Sequence, residues 1–140
     1  SLYLKPDELE KTNLERFERY AALESEVRWE EYLMDDAEIC VVSTGITARV
    51  SKNAIAECRR RGIKVGMIRP ITLFPFPAKP LAAAAEKVKS FLTVELNMGQ
   101  MNEDVRLAIG CKKPVAMCNR VGGMIPSTDE VVSAIEKEAK

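Results

Sequence analysis

The sequence predicts a three-layer α/β/α sandwich built on a mainly parallel sheet of four to five strands and preceded by a long N-terminal helix. Three observations carry that expectation. From Ile39 onward, short runs rich in apolar and β-branched residues alternate with stretches that place apolar residues at helical spacing. Each connection between successive runs is longer than a dozen residues, enough for a helical crossover and too long for a hairpin. By contrast, the first 33 residues contain no glycine and a single proline, at position 6.

Pro6 to about Leu33 reads as one long helix, with a possible break in its middle. Asp7 and Glu8 suit a helix start, and Glu15 with Arg19 and Glu24 with Arg28 form i,i+4 pairs. Leu9, Phe17, Tyr20 and Val27 share one face, while Trp29 and Leu33 lie off it. A solvated helix with one buried stripe is favoured over a dedicated partner-binding helix. Residues 1–38 are therefore read as a helical linker segment, and 39–140 as the α/β domain.

Within that domain Ile39 to Thr44, closed by Gly45, fits a strand buried on both faces. Thr47 to Arg61 follows as a helix, with Val50, Ala54, Ile55 and Cys58 on its apolar stripe and Gly62 at its C-cap. Ile63 to Ile68 is a second strand, and Ala78 to about Val88 a helix with Pro80 in its first turn. Phe91 to Leu96 is a third strand. Gln100 to Ile109 is a helix ended by Gly110, and Val115 to Cys118 a short fourth strand. Thr128 to Ala139 closes the chain, capped by Ser127 or Thr128, with Val131, Val132 and Ile135 facing inward.

The composition is that of a globular chain, 46% hydrophobic and 30% charged over 140 residues. Twenty-one basic and twenty-one acidic residues cancel, so the net charge gives no reason to expect nucleic acid or an anionic membrane as partner. The balance conceals an asymmetry: acidic residues outnumber basic ones twelve to five up to Glu38, and basic outnumber acidic sixteen to nine beyond it. Histidine is absent, which removes His-based acid/base chemistry and mixed Cys/His zinc sites. Cys40, Cys58, Cys111 and Cys118 form no Cys-x-x-Cys pair and read as scattered reduced thiols. No apolar run approaches the roughly 20 residues that span a bilayer, and a cytoplasmic location is expected. The chain opens on Ser1, which points to an excised fragment or a processed chain.

In a parallel α/β sheet, ligands and partners meet the loops at the carboxyl ends of the strands, above all where strand order reverses. Four loops qualify. Ser43, Thr44, Gly45 and Thr47 form a strand-to-helix turn; with one glycine they match no phosphate-loop pattern, and a plain turn is favoured over an anion site. Asn97, Gly99 and Gln100 put two amides and a glycine at a helix start; without a nucleophile or base they bind or brace. Gly122 and Gly123 permit close backbone approach, or simply positive φ. Arg69 to Pro77 holds Phe74 and Phe76 in a proline-stiffened loop, where either ring plugs the core or meets a partner; Arg69, Phe74 and Phe76 are the interface candidates. Glu95, near the end of a buried strand, has no second carboxylate beside it and reads as a structurally paired residue rather than an acid or base. Arg59-Arg60-Arg61 before Gly62 is explained by the helix dipole. No catalytic residue and no metal ligand is assigned.

The order of Ile39 to Gly45, Arg61-Gly62-Ile63-Lys64-Val65-Gly66, the Pro-Phe-Pro of Pro75 to Pro77, Val94-Glu95-Leu96-Asn97-Met98-Gly99-Gln100-Met101 and the late Gly122-Gly123 resembles the transketolase C-terminal-like domain of 2-oxoacid:ferredoxin oxidoreductases. The resemblance runs over most of Ile39 to Lys140. Lys5 to Leu9 and Val27 to Tyr32 look most like the alpha subunit of the 2-ketoisovalerate (3-methyl-2-oxobutanoate) branch.

That resemblance implies one domain of a larger enzyme. The family oxidatively decarboxylates a 2-oxoacid on thiamine diphosphate with Mg, passes two electrons through 4Fe-4S clusters to ferredoxin, and transfers the acyl group to CoA. The implied partners are the pyrimidine-binding domain of the same subunit and the other oxidoreductase subunits, with ferredoxin and CoA at the level of the complex. No cofactor is assigned to this chain, which has neither a Gly-Asp-Gly signature nor cluster-spaced cysteines. The family fold also implies an antiparallel strand ahead of the first parallel one, for which Leu2-Tyr3-Leu4 is the segment left over, and a strand order second, first, third, fourth. Two other readings share the architecture: a stand-alone flavodoxin-like ligand-binding module, and the related domain of a transketolase or 2-oxoacid dehydrogenase.

Overall fold

The computed structural model describes residues 3–140. Helix α1 runs Pro6–Ala22, with Pro6 at its first position, Asp7 and Glu8 in its first turn and Arg19 in its last. A short 3₁₀ turn, Leu23–Glu26, ends it. The helix read through to Leu33 is therefore a correction: Trp29–Tyr32 is strand β1. Local charge pairing favours helix here, but β1 lies antiparallel along a neighbouring strand, and that tertiary pairing overrides the weak propensity. The stretch before Ile39 thus contributes a strand to the sheet. The stripe is corrected as well, since α1 buries no residue and Leu9, Phe17 and Tyr20 are exposed. Tyr3 and Leu4 have no regular structure, and Leu2 lies outside the described residues; the antiparallel strand is β1.

From there the elements follow as β2 (Ile39–Ser43), α2 (Gly45–Arg60), β3 (Val65–Pro70), α3 (Ala78–Ala85), β4 (Ser90–Glu95), α4 (Gln100–Ala108), β5 (Val115–Asn119) and α5 (Thr128–Glu138). The five strands form one sheet in the order β1-β3-β2-β4-β5. The β2–β3, β2–β4 and β4–β5 pairs are parallel, so the four main strands have the expected order. All five residues of β2 and all six of β4 are buried, as befits central strands covered on both faces.

Alternation along the strands divides the core in two. Ile39 and Val41 of β2, with Met67, Leu92 and Val94, pack against Ala54, Ile55 and Cys58 of α2 and Val131, Val132 and Ile135 of α5. Cys40 and Val42 face the other way, with Ile68 and Phe91, onto Leu81 and Ala85 of α3 and Met101 and Val105 of α4. Each of these four helices brings a narrow apolar stripe, and α5 opens on a capping box: Glu130 N–H donates to Ser127 Oγ at 3.2 Å, and Ser127 N–H to Glu130 Oε2 at 2.8 Å. That hydrogen bond from Ser127, with Arg120 beside it, holds the Glu130 carboxyl below its ordinary range.

One close approach fixes how β1 reaches the sheet. The turn after β1 crosses β3 at Gly66, with Leu33 at φ 53°. Arg59 of α2 clamps it there, donating from Nε to Val65 O at 2.7 Å, from Nη1 to Asp36 Oδ1 at 2.6 Å and from Nη2 to Leu33 O at 2.7 Å. The same guanidinium holds the Asp36 carboxyl below its usual value. Among the described residues no helix is long and apolar enough to cross a membrane.

Candidate functional site

The connections reverse direction between β2 and β4, and the loops that leave their carboxyl ends diverge there. Between them lies a cavity of about 350 Å³, lined by Thr44, Gly45, Ile46 and Thr47 from the β2–α2 turn and by Val94 to Asn97, Gln100, Met101 and Asp104 from β4 and α4. Leu73, from the loop after β3, closes one side.

The floor is held by hydrogen bonds that use up most of its polar atoms. Ser43 is fully buried; its Oγ lies 2.9 Å from Thr47 Oγ1 and 3.0 Å from Val94 O, and its single proton is shared between these two acceptors, tying β2 to β4. Thr47 Oγ1 donates to Thr44 O, and Thr44 Oγ1 to Pro70 O. Glu95 is 3% exposed. Its two carboxylate oxygens accept the backbone N–H groups of Met101 and Asn102, each at 3.0 Å, so the acid caps the start of α4. The partner of this paired carboxylate is thus a helix end and not a cation. Asn97 Oδ1 accepts the two N–H groups before these, from Gly99 at 2.8 Å and Gln100 at 2.9 Å. Together Glu95 and Asn97 satisfy the first amides of α4.

Of the residues singled out in the sequence, Thr44, Gly45, Thr47, Asn97 and Gln100 meet in this cavity, with Ser43 directly beneath them. Gly99 sits behind it at φ 108°, where an added Cβ would lie 3.2 Å from Met117 Sδ. Gly122 and Gly123 stand apart in the exposed loop after β5. The sequence reading missed Ile46, Leu73, Leu96, Met101 and Asp104 as lining residues. Asp104 carried a legible signal, one helical turn beyond Gln100 on the same face of α4.

The proline-stiffened loop divides its two rings. Phe74 is 68% exposed and meets Tyr20 edge to face, with ring centroids 5.8 Å apart. Phe76 packs on the core beneath α3 and α4. Replacing Phe76 with serine is expected to destabilise the chain by about 2 kcal/mol or more, and Phe74→Ser by less than about 1 kcal/mol. Thermal unfolding of both variants tests this, and equal losses would contradict the division. Arg69, the third interface candidate, bonds from Nη1 to Glu30 Oε2 across the β1–β3 pair at 3.2 Å. Lys52 shares that carboxylate, and the two cations hold Glu30 below its ordinary value.

The chain matches the family of pyruvate:ferredoxin oxidoreductase core domain II over residues 37–131. It belongs to that family. It is 46% identical over 140 residues to the ketoisovalerate oxidoreductase subunit VorB of Methanothermobacter marburgensis, covering 99% of this chain and 40% of that protein. Identity to the 2-oxoglutarate synthase subunit KorA of the same organism is 35% over 101 residues, 72% of this chain and 27% of that one. A 2-oxoglutarate:ferredoxin oxidoreductase from Magnetococcus marinus, solved with 2-oxoglutarate, coenzyme A and succinyl-CoA bound, shares the fold over the whole chain and 25% of its own, with a TM-score of 0.82 and 21% identity. A split-gene transketolase shares it over 79% of this chain and 40% of its own, with a TM-score of 0.68 and 18% identity. The domain thus spans less than half the length of the curated relatives it matches.

The cysteines of this domain do not fit a 4Fe-4S cluster. A 4Fe-4S cluster requires four thiolates around one point. Cys40 and Cys58 lie in the two halves of the core, on opposite faces of the sheet, and Cys111 is exposed beyond α4. Burial pushes the Cys40 thiol up to about 12, so it stays protonated. The charged side chains lining the crevice are Glu95 and Asp104, and both carboxylate oxygens of Glu95 are already taken up by backbone N–H groups.

Proposed function

We propose that this domain II is the structural and assembly part of the alpha subunit of a thiamine-diphosphate-dependent 2-oxoacid:ferredoxin oxidoreductase. The assembled cytoplasmic enzyme converts a branched-chain 2-oxoacid, CoA and oxidised ferredoxin into acyl-CoA, CO2 and reduced ferredoxin. The 46% identity to a ketoisovalerate oxidoreductase subunit, over 99% of this chain and 40% of that protein, supports the choice of substrate class. The role within the enzyme is supported by an apolar face at the carboxyl end of the sheet: Ile46, Ile71, Leu73, Phe74, Leu96 and Met98 are all exposed there. An exposed apolar surface of that extent marks a contact with another domain or subunit. On this reading α1 and the 3₁₀ turn connect domain II to the pyrimidine-binding domain, and Phe74 is an interface ring.

The intact oxidoreductase is expected to reduce ferredoxin in a CoA-dependent reaction, faster with 3-methyl-2-oxobutanoate than with pyruvate or 2-oxoglutarate. The 140-residue chain by itself is expected to oxidise none of them and to give no heat of binding with thiamine diphosphate and magnesium. Tight binding of that pair to the chain alone, seen by calorimetry, would overturn the assembly role. A preference for pyruvate would overturn the branched-chain assignment.

A further inference from the structure

The mouth of the crevice is apolar, and its charged side chains are all acidic. Exposed Ile46, Leu73 and Leu96 surround the opening, and Phe74 and Tyr20 extend the same surface onto α1. No lysine or arginine lines the cavity. Glu95, at the floor, already accepts two backbone N–H groups. Asp104 is exposed and takes part in no ion pair among the described residues. Covering this surface with an uncharged partner would strip water from Asp104 and leave it unpaired. An anionic partner would meet two carboxylates.

We propose that the crevice is a docking pocket for an apolar loop of a partner domain or subunit that carries one basic side chain, lysine or arginine, whose cation meets Asp104 at the rim. The aliphatic stem of that side chain packs between Ile46, Leu73 and Leu96, which buries methylene groups and leaves the charged head at the edge of the cavity. This docking rests on the reading that the carboxyl end of the sheet faces another part of the oxidoreductase. It adds the chemistry by which the partner is chosen.

The direct test titrates the chain with N-acetyl-arginine amide, N-acetyl-norleucine amide and N-acetyl-glutamate amide while following backbone amide chemical shifts. The arginine derivative is expected to shift residues 44–47 and 96–101 and to bind about fivefold more tightly than norleucine, the size of one partly screened ion pair. Asp104→Asn should erase that preference, and Asp104→Lys should reverse it toward glutamate. Equal affinity for arginine and norleucine, binding of glutamate to the unsubstituted chain, or shifts confined to other surfaces would each overturn the pocket. In the assembled oxidoreductase, Asp104→Lys should weaken association at least tenfold, with the difference shrinking at high salt. An assembly that ignores Asp104→Lys removes the docking but leaves the family role intact. A full subunit that joins no oxidoreductase partner removes the family role, while the titration still judges the pocket.

Discussion

Replacing Gly66 with alanine is expected to cost the domain about 2–4 kcal/mol, with the unfolding temperature falling by roughly 10 °C. The added Cβ would lie 2.4 Å from Leu33 O, 2.7 Å from Met34 Sδ and 2.9 Å from Leu33 C. Two of these three atoms are backbone, so rotating a side chain does not relieve the clash. The turn after β1 has to lift away, and Arg59 then loses its contacts with Leu33 O and Asp36. Arg59→Ala alone removes the same clamp. The two substitutions should therefore cost less together than the sum of their separate effects. Urea unfolding of the four proteins measures this; an alanine at position 66 that leaves the midpoint unchanged would refute the close approach.

Glu95→Leu is expected to release the start of α4 and to cost about 2–4 kcal/mol, since it leaves the N–H groups of Met101 and Asn102 without acceptors. Glu95→Gln keeps one acceptor and turns a donor toward the other N–H, so its loss should be intermediate. The effect is local as well as global. Hydrogen exchange at Met101 and Asn102 should accelerate more than exchange at Val41 or Leu92 in the sheet centre. Uniform acceleration would mean that Glu95 acts only on overall stability, and unchanged exchange at Met101 and Asn102 would remove it as the helix cap.

Residues 39–140 were legible because their information is local. Each strand from Ile39 onward is a short run bounded by turn residues, and each helix repeats its apolar residues every three or four positions. Burial on both faces of β2 and β4 removes the alternation that would otherwise confuse them with exposed strands. Crossovers of fixed hand then limit the order of four parallel strands. The exposed end of the sheet was also accessible, since loop positions follow directly from strand ends.

The sequence by itself determined the layer architecture, the parallel pairing of the four main strands and the absence of a histidine-based site in this chain, while the order of those strands was what the family resemblance implied. Only the tertiary structure decided that Trp29–Tyr32 are strand, since their pairing lies with residues 67–70, far along the chain. It likewise separated Phe74 from Phe76, paired Glu95 with a helix end and set Asp104 beside the β2–α2 turn. Periodicity reports which face of an element is apolar, because that depends on neighbours a few positions away. It cannot report which distant backbone amide a carboxylate meets, because that contact exists only once the sheet has brought the loops together.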